Sequence, residues 1–163
     1  MFTINMSPAV MFRVIEKYKP TILLDEGDTF LKDNEDMRCM LNGGHNRQTS
    51  MVWRSVGETH EPKPFKVWAP KALAMIGSPA DTVEDRSIVV HLKRKLQTDK
   101  VEGFNEQRKA DLHPIQRMFA RWYEDNKINL RSCDPQVPES LNDRAQDNVR
   151  ALCAIADVVG GHW

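Results

Sequence analysis

Apolar residues along this chain follow a helical rhythm in some stretches and a strand rhythm in others. Near the start, Val10, Met11, Val14 and Ile15 recur at the spacing of one helical face. Ser7 and Pro8 stand just ahead of them, a capping hydroxyl and then a proline at the first helical position. This predicts a helix that stops before Pro20. Thr21 to Leu24 follows without alternation, the pattern of a short strand buried on both faces. A turn and a helix from about Asn34 to Asn42 come next, closed by Gly43 and Gly44. "SMVWRSVG" and "KPFKVWAP" are rich in strand formers, and the Gly- and Pro-containing stretch between them reads as the loop of a hairpin-like excursion. "KALAMIG", 71–77, and "SIVVHL", 87–92, are read as further apolar strands, with a loop and a possible helical turn in "SPADTVEDR" between them.

Beyond Lys93 the rhythm is helical. Leu112, Ile115, Phe119 and Trp122 share one face of a long helix expected to start near Asp111, with Pro114 tolerated in its first turn. "DPQVPES" reads as a loop. "LNDRAQDNVRALCAIADVVGG" is a second helix, with Leu141, Ala145, Val149 and Leu152 inward and Gly160 at its end. The expected organisation is an α/β part, 1–100, with a parallel sheet and a hairpin excursion, and a helical part, 101–163.

Charge changes this picture locally rather than in total. The 23 basic and 23 acidic residues cancel, so net charge points to no partner class. Six acids and one base lie between Asp25 and Asp36, whereas His45 to Lys71 carries Arg47, Arg54, Lys63, Lys66 and Lys71 against Glu58 and Glu61. An acidic site beside a basic segment suits magnesium and phosphate next to a polyanion, and it also suits ordinary surface patterning. Cys39, Cys133 and Cys153 are odd in number and widely spaced, which supports neither a zinc site nor a disulfide framework. Cys39 and Cys153 are expected as buried thiols. The opening residues lack the apolar core of a signal peptide and no run reaches membrane-spanning length, so the cytoplasm is the default expectation.

The candidate chemistry sits in "PTILLDEGDTF", 20–30. In an open parallel sheet, ligands bind outside the carboxyl ends of the strands, and Asp25 and Glu26 stand at such an end. Adjacent strand residues face opposite ways, so one acid is free to hold hydrated magnesium while the next orients or deprotonates a water. The plain alternative is a solvated Asp-Glu-Gly-Asp turn. His45, Arg47, Arg54 and Lys66, with Trp53 and Trp68, are candidates for nucleic-acid contact, although both tryptophans are also natural core residues. His60, His91, His113 and His162 form no set.

The string "PTILLDEGDTFLKDNEDMRCMLNGGHNR" resembles the Walker B segment of a P-loop (AAA+-like) ATPase family of phages and other mobile elements, associated with primases and helicases and described mainly as a domain of unknown function. "FKVWAPKALAMIG", "DTVEDRSIVVHLKRK" and "LNDRAQDNVRALCAIADVVGGHW" extend the resemblance over about Ser7 to Trp163. It implies magnesium at Asp25, a catalytic base at Glu26, and metal-shell support or helix capping by Asp28. It further implies a sensor residue at Ser78, an arginine finger at Arg86, and a phosphate-reaching arginine at Arg144 or Arg150. ATP and Mg2+ would be the cofactors, DNA a partner, and a homo-oligomer the assembly. The G-x-x-x-x-G-K-[ST] loop such an enzyme needs does not occur, since none of the eight glycines precedes a lysine.

The resemblance therefore implies the C-terminal portion of a nucleoside-triphosphatase linked to DNA replication. Such a portion is expected to be inactive until an upstream or split partner supplies the missing half. A non-enzymatic DNA-binding or assembly module is the alternative. A metal-dependent phosphodiesterase using Asp25, Glu26 and Asp28 ranks last, because no further converging acids or lysine are evident.

Overall fold

The computed structural model describes residues 1–3, 6–32 and 34–161, with the backbone alone for Phe30. His162, named above, lies outside them. The chain forms two units, Met1–Ser87 and Ile88–Trp163.

The first unit mixes helices with a small parallel sheet, an α/β arrangement. Strand β1 (Phe2–Thr3) leads to helix α1 (Pro8–Tyr18), where the Ser7 side chain accepts from the Val10 amide as expected. Strand β2 (Ile22–Leu24), helices α2 (Gly27–Leu31) and α3 (Glu35–Gly43), strands β3 (Met51–Val56), β4 (Glu61–Lys66) and β5 (Lys71–Leu73), and helix α4 (Asp81–Glu84) complete it. The sheet order is β1-β2-β5, with both pairings parallel and Leu24 opposite Thr3 on one side and Leu73 on the other. β2 is therefore the central strand. Strands β3 and β4 form a separate antiparallel hairpin, as the sequence suggests, with Trp53 opposite Pro64 and Arg54 opposite Lys63.

The core gathers Met11, Phe12 and Ile15 of α1, Ile22 and Leu24 of β2, Met37 and Met40 of α3, and Phe65 and Val67 from the hairpin side. Three expectations are corrected here. β2 is not buried on both faces: Ile22 and Leu24 are buried while Leu23 is 41 % exposed, because the described residues cover only one face of the sheet. Cys39 is exposed and Cys153 half-buried. On α3 the core-facing positions are Met37 and Met40, one turn apart, and Cys39 points away from that stripe. Residues 87–92 form no strand. No described strand pairs with them, and an apolar run becomes a strand only when a ladder satisfies its backbone.

In the second unit, helix α5 (Glu106–Ser132) begins a turn earlier than the periodicity suggests, capped by Asn105, whose side chain accepts from the Arg108 amide. Pro114 therefore lies inside the helix rather than in its first turn. Helix α6 (Asp143–Val159) is capped by Asn142 and closed by Gly160, whose amide donates to the Ala156 carbonyl. The helices pack together, and Arg150 meets Asp134 of the connecting loop at 2.7 Å. Leu112, Ile115, Phe119 and Leu152, expected inward, are 40–70 % exposed. Two helices alone bury only a narrow seam, which leaves the rest of each apolar stripe open.

Candidate functional site

The acids sit where the chain leaves the central strand. β2 ends at Leu24, and Asp25, half-buried, donates its amide to the Thr3 carbonyl at 3.1 Å. Its carboxylate Oδ1 accepts from the Glu26 amide at 2.9 Å. Glu26 adopts a left-handed backbone, φ 54° and ψ 41°, and stands exposed at the start of α2. The picture of two acids on alternating strand faces is thus corrected, because the strand stops one residue before them and the turn, not the pleat, aims Glu26.

Left-handed backbone is uncommon for a side chain like glutamate and costs on the order of 1–2 kcal/mol. Its surroundings hold it there. The Gly27 amide donates to the Ala74 carbonyl at 2.9 Å, and Asp28 Oδ1 accepts from the Ile76 amide at 3.1 Å. Gly27 is buried against β5, and a Cβ added to it would lie 2.5 Å from Leu73 Cδ1. The residues after β2 are therefore stitched to the end of β5. Asp28 spends Oδ1 on the Ile76 amide, which fastens the turn after β2 to the segment beyond β5.

No group of three or more His, Cys, Asp or Glu side chains among the described residues is placed to hold a metal ion. Hydrated magnesium asks for less, one or two carboxylates with phosphate oxygens and waters completing the shell. Asp25 commits Oδ1 to the Glu26 amide and has a second carboxylate oxygen, which meets the demand for a single carboxylate.

The remaining sequence candidates are dispersed. Ser78 follows Gly77 in the exposed segment beyond β5. Arg86 donates to the Thr82 carbonyl at 2.7 Å within the turn of α4. Arg144 lies in the first turn of α6, in the second unit. Arg150 Nη1 pairs with Asp134 Oδ1 at 2.7 Å.

The hairpin register divides the nucleic-acid candidates. Met51, Trp53 and Ser55 share one face with Lys66 and Pro64, whereas Val52 and Arg54 share the other with Phe65 and Lys63. Arg54 and Lys66 therefore cannot form one patch. Trp53 is 61 % exposed rather than a core residue, while Trp68 is half-buried with the Arg47 guanidinium 4.8 Å from its ring centre. His45, half-buried, follows the Gly43-Gly44 helix end, and its amide donates to the Asn42 carbonyl.

One partly buried charged group is not evident from the sequence pattern. Lys71, at the start of β5, donates from Nζ to the Gly44 carbonyl at 3.1 Å and to the Ala69 carbonyl at 3.0 Å, and burial lowers its pKa from 10.5 to about 8. Gly44 makes room for it, since a Cβ there would lie 2.7 Å from Nζ and 2.5 Å from the Val67 carbonyl. A lone lysine inside the apolar run from Val67 to Ile76 was the available signal. It pairs across from Ile22, at the end of the sheet opposite the acids. It pins the end of α3 to the loop before β5 and has no place beside Asp25.

No described helix is long and apolar enough to cross a membrane. No curated protein and no solved structure matches the chain. Residues 91–163 match the model of a family described as "Protein of unknown function (DUF3631)", and in that stretch the chain is similar to that family.

Proposed function

We propose that this chain is the C-terminal portion of a nucleoside-triphosphatase of the P-loop, AAA+-like kind, serving DNA replication in a phage or mobile element. The observation that carries the reading is the strained Glu26 beside Asp25, at the carboxyl end of the central strand of a parallel sheet. In this reading Asp25 holds Mg2+ through water and Glu26 takes the proton of the attacking water. Ser78 beyond β5 senses the terminal phosphate, and Arg86 and Arg144 act on phosphate charge in the assembled oligomer. ATP binding waits on a phosphate loop from the upstream or split half, because no such motif lies in these residues.

The test is ATP hydrolysis by the protein in which a phosphate-loop segment accompanies this chain. Glu26→Gln should keep nucleotide binding and lower turnover at least a hundredfold, in line with loss of a positioned general base. Hydrolysis at the wild-type rate would remove Glu26 from the role.

A second reading, a nucleic-acid-binding or assembly module without catalysis, draws on the exposed Trp53 with Lys66 on the same hairpin face, and on Arg47 over Trp68. Retained DNA binding in the Glu26→Gln protein, with no ATP hydrolysis by the wild type, would favour it.

A further inference from the structure

We propose that the cleft between the N-terminal turn of α1 and the β3–β4 hairpin seats phosphate groups supplied by a nucleic-acid strand. The cleft is open, about 350 Å3, and lined by Ser7, Pro8, Arg13, Asp36, Arg54 and Ser55 among others. Phe12 and Phe65, both buried, meet beneath it with ring centroids 4.6 Å apart. Three cations surround this aromatic pair. The Arg13 and Arg54 guanidinium carbons lie 4.7 Å and 5.9 Å from the Phe12 ring centre, and Lys63 Nζ lies 5.5 Å from that of Phe65.

The hairpin register sharpens the point. Arg54 and Lys63 are direct cross-strand partners on the same face. Like charges in that relation destabilise a hairpin, and local conflicts of this kind gather at functional sites. The nearby acids compensate little. The Asp36 carboxylate reaches Arg54 Nη2 only at 3.8 Å and is largely exposed, and Glu16 Oε2 is engaged by the Lys66 amide at 2.8 Å. Arg13 spends Nη1 on the Ala9 carbonyl and Arg54 spends Nη1 on the Trp53 carbonyl. A guanidinium has five donors, so each retains others for a ligand. A surplus of cations strung from the cleft onto the exposed hairpin suits a repeating anion better than a single one. Neither Asp25 nor Glu26 takes part, so this seat stands or fails separately from ATP hydrolysis.

The experiment is fluorescence anisotropy of a labelled oligodeoxythymidylate titrated with the whole chain, with inorganic pyrophosphate as competitor. Arg13→Gln and Arg54→Gln should each weaken binding roughly tenfold and flatten its salt dependence. Asp36→Asn, which removes the competing carboxylate, should tighten binding severalfold, an effect that misfolding cannot produce. Unchanged affinity in both arginine variants, or weaker binding by Asp36→Asn, would overturn the proposal. So would displacement of the oligonucleotide by pyrophosphate at equal phosphate concentration, which would assign the seat to small phosphates rather than a strand.

Discussion

Replacing Lys71 by methionine isolates the energetic consequence of burying an ammonium in this fold. The lysine pKa falls from 10.5 to about 8 because burial strips water from the charged form. At about 1.4 kcal/mol per pKa unit, the charged lysine costs the folded state up to about 3 kcal/mol. The folded protein binds fewer protons than the unfolded chain between those two values, so stability rises with pH there. Below pH 8 the cost is fully present, and above 10.5 the lysine is neutral in both states and the cost is gone. Methionine keeps the aliphatic stem and removes the charge, but it also strips the donors from the Gly44 and Ala69 carbonyls. That loss costs roughly 1–3 kcal/mol per group left unpaired. The two effects oppose each other at neutral pH, so the level of stability there is a poor readout and the slope is the informative one. Urea unfolding followed by far-UV circular dichroism from pH 7 to 10.5 should show the wild type gaining up to about 3 kcal/mol relative to Lys71→Met. Parallel pH profiles for the two proteins would refute the desolvation argument.

Two further substitutions probe the turn after β2. Gly27→Ala places its methyl 2.5 Å from Leu73 Cδ1; the leucine tip can yield, so a loss of about 1–2 kcal/mol in denaturant unfolding is expected, and unchanged stability would deny the close approach of this turn to β5. Glu26→Gly relieves the left-handed backbone at φ 54° and should stabilise the chain by about 1 kcal/mol, measured the same way; a destabilised variant would show that Glu26 is not strained.

The parts of the fold legible in the sequence were those whose signals are local. Ser7-Pro8 announced α1, Asn34 and Gly43-Gly44 bracketed α3, and the break between "SMVWRSVG" and "KPFKVWAP" marked a hairpin whose second strand begins two residues earlier, at Glu61. β1 escaped notice because two residues carry no periodicity. The run 87–92 misled for the opposite reason, since its composition suits a strand but strand formation depends on a neighbour that composition does not reveal. That the acids follow a short strand was legible, yet the left-handed turn at Glu26 and the Asp28 link to Ile76 depend on contacts some fifty residues apart in the chain. The separation of Arg54 from Lys66 required the register, which assigns every hairpin side chain to a face. Lys71 looked like one more surface base until its two carbonyl partners were in view.

The central claim is that the turn after β2 receives a divalent cation. Its most direct test is paramagnetic line broadening by Mn2+ in amide NMR spectra of the chain. The account predicts that the amides of Glu26, Gly27 and Ile76 broaden first, and that Asp25→Asn abolishes this preference. Broadening spread evenly over exposed acids such as Glu35, Asp36 and Glu58, or left unchanged by Asp25→Asn, would contradict it.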